Sequence, residues 1–463
     1  MKSYWKQTKT LNYPILNEDI HCNICIVGAG LHGIVLAYLL KDYDVVLVDQ
    51  SHFMSGASSM NTGKLTSQHG DCYHKIIKKY GKQVAKDYFL HNQMAIDKVK
   101  EWHKEYNFTL TLCDTLLCSK YKQDVLEKEY EAYQILGIPG NLTKHTLSMD
   151  NQYQFHPVEL ANELLKQLHN VRCYQDTQII RYDNNDTVTL STPNHTIQAN
   201  TVIFTNHSPT LFSEYLLFTR YKAYTSYLIM KPYNYTKPFN ILNIDNNNLS
   251  FRTIEDNNKK YILIAGQDHR FGILEKNHYN LLHEQTTNLS QQILQQWQNH
   301  DYTTYDLLPF IGEIKENIYL SFGFNLWGNT WSIAASLLLY NKIIHNIDQI
   351  SQYHPRRIKD IFTLQCITSN TETMYYLIKY YLFYFYKKNG TIIIYKNKKY
   401  GYYHNNNTTI LVNIHCPHLG CILQYNPLKQ TWDCPCHASS FTYDGTRICG
   451  PTTKSLENII IKK

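Results

Sequence analysis

Two short boxes near the C-terminus hold the side chains best suited to chemistry: Cys416-Pro-His418-Leu-Gly-Cys421 and Cys434-Pro-Cys436-His437. Each offers one thiolate and one imidazole, so two loops can present two sulfur and two nitrogen ligands to a single site. Zinc accepts such a set. It leaves Cys421 and Cys436, one in each box, without a role. A two-iron cluster with two cysteines on one iron and two histidines on the other uses the same four ligands and has a higher reduction potential than an all-thiolate cluster.

The two boxes resemble the Rieske iron-sulfur proteins of respiratory and photosynthetic cytochrome complexes. That resemblance implies that Cys416 and Cys434 ligate one iron, that His418 and His437 ligate the other, and that Cys421 forms a disulfide with Cys436. The family's second box usually continues His-Gly-Ser-x-Tyr, whereas this chain reads His437-Ala438-Ser439-Ser440-Phe441. A serine donor is kept at Ser439 and a tyrosine hydroxyl is missing at Phe441. Hydrogen bonds to cluster sulfurs raise the potential, so the expected potential lies below that of the cytochrome-complex relatives. Gly450-Pro451 resembles the proline loop that covers the cluster.

A second centre of chemistry lies near the N-terminus. Asn23-Ile-Cys-Ile-Val27 reads as a buried strand, Gly28-Ala-Gly30-Leu-His-Gly33 opens a helix running to about Leu40, and Val45-Val-Leu-Val48 is a second strand closed by Asp49. Strand, glycine turn, helix, strand and acid in this order form a dinucleotide fingerprint. Gly28 makes the turn, Gly30 admits backbone to a pyrophosphate, Gly33 lets helix and strand pack, and Asp49 accepts from a ribose hydroxyl. FAD and NAD share this fingerprint. The following Ser55-Gly56-Ala57-Ser58-Ser-Met-Asn61-Thr-Gly63-Lys64 resembles FAD-dependent oxidoreductases of the D-amino-acid-oxidase type, whose Gly-Ala-Ser loop passes the flavin diphosphate and ring. That resemblance implies FAD contacts at Gly56, Ala57, Ser58, Asn61 and Gly63. A run of small residues and backbone amides also suits a polyphosphate; the plainer alternative is a flexible turn.

The remaining elements position these centres. The pattern predicts amphipathic helix from Tyr73 to Glu105, helix from Gln123 to Leu136, helix from Pro157 to about His169, a strand at 172–174 and two further strands. The segment 199–209 resembles the strand and turn that return the chain to the flavin domain, with His207 as a loop residue. Alternating Tyr, Ile and Leu over 221–268 predicts an antiparallel substrate sheet. In amino-acid-oxidising relatives an arginine on this sheet grips the substrate carboxylate; Arg252 is the candidate, with a surface salt bridge as the alternative. Pro309–Gly312 and 321–330 resemble the last cofactor-contacting strand and glycine loop, with Gly323 and Gly328 allowing close approach, and a helix packed on the fingerprint follows. Trp327 either walls the pocket or fills core.

At 463 residues the chain is long enough for two or three domains. The expected architecture is an α/β Rossmann-like FAD-binding domain with an α+β substrate subdomain, plus a small all-β Rieske domain. The domains read as 1–358 for the flavin module, 359–389 for a linker helix and 390–463 for the Rieske module. The aromatic run 374–386 is read as docking one module on the other in preference to lying on a membrane. The Asn-rich patches 245–248 and 405–409 read as loops. A net charge of +7 without a run of like charges gives no ground for nucleic-acid binding. Most of the 12 cysteines are scattered, which fits a reducing compartment. No stretch reads as a signal peptide or reaches the roughly 18 apolar residues of a membrane helix, so a cytoplasmic protein is expected.

The whole pattern, from the Ser3-Tyr-Trp5 lead to the tail, resembles Rieske-tailed FAD-dependent oxidoreductases. A flavin takes two electrons and a Rieske cluster carries one, so the fusion implies a two-to-one electron converter. The expected reaction is oxidation of an amine or amino-acid-like small molecule, with electrons passing to the cluster and on to an unidentified acceptor. No acid or base stands out, which suits hydride transfer governed by positioning. A Rieske oxygenase lacks support because no convincing Asp-x-x-His set for a mononuclear iron is found. A non-catalytic electron-transfer or redox-sensing protein is the alternative, and an enzyme acting on modified RNA bases is favoured only by net charge.

Overall fold

The apolar runs around the glycine turn become neighbouring strands of one sheet. Ile20–Val27 pairs in parallel with Val45–Val48 on one side and with Thr196–Phe204 on the other. All four residues of Val45–Val48 are buried, and burial on both faces is why these strands read as continuous apolar runs. Ile318–Phe322 and Arg172–Tyr174 extend the parallel order outward, Phe310–Lys315 closes one edge antiparallel, and the hairpin of Arg181–Asn184 with Val188–Ser191 pairs onto Thr196–Phe204. The fingerprint helix Leu31–Leu39 packs against the helix Gly328–His345. The His32 ring joins them, its Nδ1 donating to Ser332 O at 2.9 Å and its Nε2 meeting Ser321 Oγ. This computed structural model describes residues 3–245, 249–273, 276–382, 392–405 and 408–462.

A second sheet has the order Gln295–Thr304, Tyr221–Pro232, Lys259–Arg270, Leu249–Asp256, Phe239–Asn243, Leu110–Cys118, Thr146–Phe155, Lys64–Leu65. Its pairings are antiparallel except that of Phe239–Asn243 with Leu110–Cys118. This is the α+β subdomain. Lys64–Leu65 follows the Gly-Ala-Ser loop directly, so that loop is strung between the two sheets. The helical pattern over 73–105 is two helices, Tyr73–Tyr80 and Lys82–Glu105, because Gly81 sits at φ +90° and breaks the ladder. Gln123–Leu136 is helical over its predicted span. Pro157–Leu165 stops short of His169; it is capped by His156, whose Nδ1 accepts from Glu159 N at 3.2 Å.

The C-terminal module is built from two four-stranded antiparallel sheets, one carrying Lys398–Asn405 and Thr408–Asn413, the other carrying Thr431–Asp433 and Ser440–Thr442. The Asn-rich patch expected as a loop at 405–409 is thus partly strand: Asn405 ends one strand and Thr408 and Thr409 begin the next, where their backbones pair. Residues 246–248 of the other Asn-rich patch lie outside the described residues.

Between the modules the expected linker resolves into a turn and the helix Leu364–Leu382; residues 383–391 lie outside the description. The chain remains packed on the first module past 358, since buried Asp360 accepts from Arg220 Nε at 2.7 Å and Arg357 bridges both oxygens of Asp306. Asn370 Nδ2 donates to Thr219 O at 2.9 Å, and Glu372 pairs with Arg270 at 2.8 Å. Leu377 packs on the C-terminal core. The helix therefore docks one module on the other. Among the described residues no helix is long and apolar enough to cross a membrane.

Candidate functional site

The fingerprint turn leaves no room for side chains. Gly28 turns at φ +114° with its N–H donating to Val48 O at 2.8 Å, and a Cβ on Gly33 would lie 1.8 Å from Gly28 O. The helix behind it starts at Leu31 with no side-chain cap from Gly30 and no acid in its first turn. Its positive end therefore faces the loop with no acid of its own first turn to offset it. Ser58 Oγ accepts from Leu31 N at 2.9 Å, which brings the Gly56-Ala57-Ser58 turn onto that end. A Cβ added to Gly56 or to Gly328 meets nothing within 4 Å, so both border open space.

Asp49 sits beside the turn, accepting from Ala29 N at 2.7 Å and from Ser51 N at 2.9 Å. Burial pushes its carboxyl up to about 6 against the pull of those two N–H donors. A cleft open to solvent reaches from Val27 and Gly28 past Thr177, Gln178 and Asn206 to Ser321. Its far wall includes Arg447 of the C-terminal module.

Other sequence-selected residues are used differently. Asn61 staples its own loop, donating to Ser58 O at 2.8 Å and accepting from Gly63 N at 2.7 Å. Arg252, expected to grip a carboxylate, is buried with Nη1 donating to Thr62 O at 2.9 Å and Phe155 O at 3.0 Å. Its guanidinium lies over Trp5, 4.9 Å from the ring centroid, and a Cβ on Gly63 would strike Nη1 at 1.8 Å. Arg252 Nη1 therefore clamps the Thr62–Gly63 turn, while its Nε is buried without a partner among the described residues. Gly323, at φ +74°, packs on Thr304. Trp327 is half-buried and stacks on His69 at 4.5 Å.

Behind Trp327 lies a buried polar cluster that sequence reading missed. His69 bonds Tyr88 Oη and Thr66 O, each at 2.8 Å, and burial pushes its imidazole down to about 3. Gln152 Oε1 accepts from Thr66 Oγ1 and Ser67 N, each at 2.8 Å. Nearby on the chain, Lys64 Nζ donates to Ile241 O at 2.8 Å and Ser250 Oγ at 2.7 Å, and burial pushes the amine down to about 7. The signal was a dense run of hydrogen-bonding residues, Thr66-Ser67-Gln68-His69, just past the loop.

At the C-terminal site the loops curl back on themselves: Cys416 N donates to Cys421 O at 2.9 Å, Cys434 N to Ser439 O at 2.8 Å. Cys421 and Cys436 are joined as a disulfide, and Cys416 and Cys434 are buried free thiols. Hydrogen bonding between the two thiols holds Cys416 below the ordinary thiol range and pushes Cys434 above it. The rings of His418 and His437 stand 5.0 Å apart and nearly perpendicular, and burial keeps both neutral. Both nitrogens of His418, Nδ1 of His437 and Ser439 Oγ are buried without a partner among the described residues. Unpaired buried nitrogens on neutral imidazoles are what a metal ligand set requires, so the residues fit a cluster held by Cys416, Cys434, His418 and His437. Gly450 packs the proline loop on Ser439, where a Cβ would lie 2.3 Å from Ser439 Cα.

The histidine edge faces the first module. Phe218 meets His418 at 4.7 Å and His437 at 4.8 Å, both edge-on. Arg270 Nε donates to Pro435 O at 3.0 Å, and Gly272 admits Pro435 so closely that a Cβ would sit 2.7 Å from its nitrogen. The proline loop reaches the cleft rim, where Gln50 Nε2 donates to Ile448 O at 3.1 Å and Gln178 Nε2 to Thr453 O at 3.0 Å. Phe218 and Gly272 stand in no motif, so nothing local pointed to them.

Comparison with known proteins agrees with both halves of this geometry. Residues 23–341 match the sequence model of the FAD dependent oxidoreductase family, and residues 386–460 match that of the Rieske 2Fe-2S domain. The Bacillus subtilis (strain 168) protein YhfW, named as a Rieske 2Fe-2S iron-sulfur protein, is 30% identical over 99% of this chain and 97% of its own length. In fold, L-proline dehydrogenase from P. horikoshii superposes with a TM-score of 0.62 at 15% identity, over 74% of this chain and 99% of that one. Glycine oxidase from Geobacillus kaustophilus gives 0.60 at 15% identity, over 73% and 99%.

Proposed function

The chain belongs to the FAD dependent oxidoreductase family and carries a C-terminal Rieske domain, and from that premise we propose that it oxidises an amine or amino-acid-like substrate and sends the electrons through its own cluster to an external acceptor. Its cofactors are FAD and one Rieske 2Fe-2S cluster. When bound, the flavin accepts two electrons with a hydride and the cluster carries electrons singly. In this reading the substrate carbon beside nitrogen loses hydride, the nitrogen becomes an iminium, and the two electrons leave one at a time.

The chain's own residues bind and orient. The helix end at Leu31, with Ser58 and the Gly28–Gly33 turn, takes the diphosphate of the dinucleotide. Asp49 accepts a ribose hydroxyl while its oxygens also hold the turn. Cys416, Cys434, His418 and His437 would hold the irons, and the Ser439 hydroxyl, beside Cys416, would donate to a cluster sulfur. Arg252 Nη1 and Asn61 keep the loop between the sheets in place.

One observation carries the electron route: the imidazole pair is turned onto the flavin module at Phe218. The test is an anaerobic titration of the holoprotein with a panel of amines and amino acids, followed by visible absorbance and low-temperature EPR. Flavin bleaching followed by the signal of a reduced histidine-ligated cluster is expected. Bleaching with a cluster that stays oxidised refutes the internal route, and no bleaching by any member of the panel refutes the substrate class.

A further inference from the structure

The linker helix Leu364–Leu382 has a second face that docking does not use. Inward, Cys366 and Ser369 are buried and Asn370 bonds the first module. Outward, Leu364 is 76% exposed, Ile367 57%, Met374 55% and Ile378 52%, and Phe362 in the preceding turn is 79% exposed. Positions 364, 367, 371, 374 and 378 recur at the helical period, so they form one stripe, about 21 Å long at 1.5 Å per residue. The polar residues on it, Thr368 and Thr371, are neutral. An apolar stripe of this extent on a protein surface marks a partner.

Charge identifies the partner. Both acids of the segment turn inward: Asp360 is buried against Arg220, and Glu372 pairs with Arg270 and Lys222. Cations flank the stripe, with Arg356 and Lys359 before it and Lys379 near its end. The chain as a whole carries +7. Like-charged copies repel one another, whereas an anionic surface attracts this face.

We propose that this helix lies flat on an anionic lipid bilayer, its apolar stripe in the boundary between headgroups and acyl chains and its flanking lysines among the phosphates. The stripe is convex and needs no groove, and the helix is not apolar enough to span.

The experiment uses the full-length holoprotein and sedimentation with vesicles, either of phosphatidylcholine alone or of phosphatidylcholine with phosphatidylglycerol. Binding to the anionic vesicles is expected, with little on the neutral ones. Ile367→Glu combined with Ile378→Glu should lower the partition constant on the order of tenfold or more, with flavin and cluster spectra unchanged because both side chains face solvent. Lys359→Glu combined with Lys379→Glu should weaken binding to anionic vesicles alone. The proposal is overturned if the unsubstituted protein binds neither vesicle, if it binds both equally, or if the glutamate variants bind as well as the parent. Sedimentation velocity showing a dimer that Ile367→Glu dissolves would assign the stripe to a second copy and overturn it as well.

Discussion

Ser439 and Phe441 set the polarity around the proposed cluster at the level of single hydroxyls. Ser439 Oγ is buried with no partner among the described residues other than the Cys416 sulfur beside it, which places its hydroxyl to donate to a cluster sulfur. Ser439→Ala is therefore expected to lower the midpoint potential without lowering the stability of the cluster-free protein; a redox titration and a thermal melt check the two halves. Phe441→Tyr is expected to move the midpoint the other way. Lys64 gives a pH prediction. Its folded value of about 7 lies below the unfolded value of about 10.4, so between these the unfolded chain holds a proton that the folded chain has released. Stability from this group is fully present above the unfolded value and is lost as pH falls through 7. Relative to Lys64→Met, the parent should gain stability from pH 7 to 10 by at most about 1.4 kcal/mol per pH unit, and parallel slopes in denaturant melts would contradict this.

Among the elements, the fingerprint was legible because its information is local. A strand, a glycine turn and a helix within 20 residues carry their own geometry, and the packing of Gly33 on Gly28 is the tightest expression of it. Gly33→Ala pushes a methyl into Gly28 O, which is expected to cost on the order of 3 kcal/mol and to release FAD on gel filtration; retention of full flavin content would show that the turn relaxes. The iron-sulfur boxes were legible for the same reason. The break at Gly81 was not, since an isolated glycine in a helical pattern is often tolerated and only its positive φ reveals the turn. The clamping bonds of Arg252 Nη1 were not legible because its partners, Thr62 and Phe155, stand 190 and 97 residues away.

At the scale of the whole molecule the modules meet through contacts that are individually small and collectively directional. Phe218, Arg270, Gly272, Gln50 and Gln178 all touch the C-terminal module. Phe218→Ala removes the ring between the imidazole edge and the flavin module. It is expected to slow cluster reduction after flavin reduction in a stopped-flow experiment on the order of tenfold, while leaving flavin reduction by substrate unchanged; Phe218→Tyr should restore the rate. Equal rates in all three proteins would show that electrons bypass this contact.

The sequence by itself determined the chemistry available: a dinucleotide turn, a cysteine and histidine ligand set, and the order in which the two modules follow one another, all encoded by residues a few positions apart. Tertiary structure alone decided how that chemistry is arranged. It turned the histidine edge inward onto Phe218, committed Nη1 of Arg252 to backbone carbonyls, assembled the buried cluster around His69 and left the outer stripe of the linker helix bare. Each of these depends on groups brought together from distant parts of the chain, where spacing carries no signal and packing has the final word.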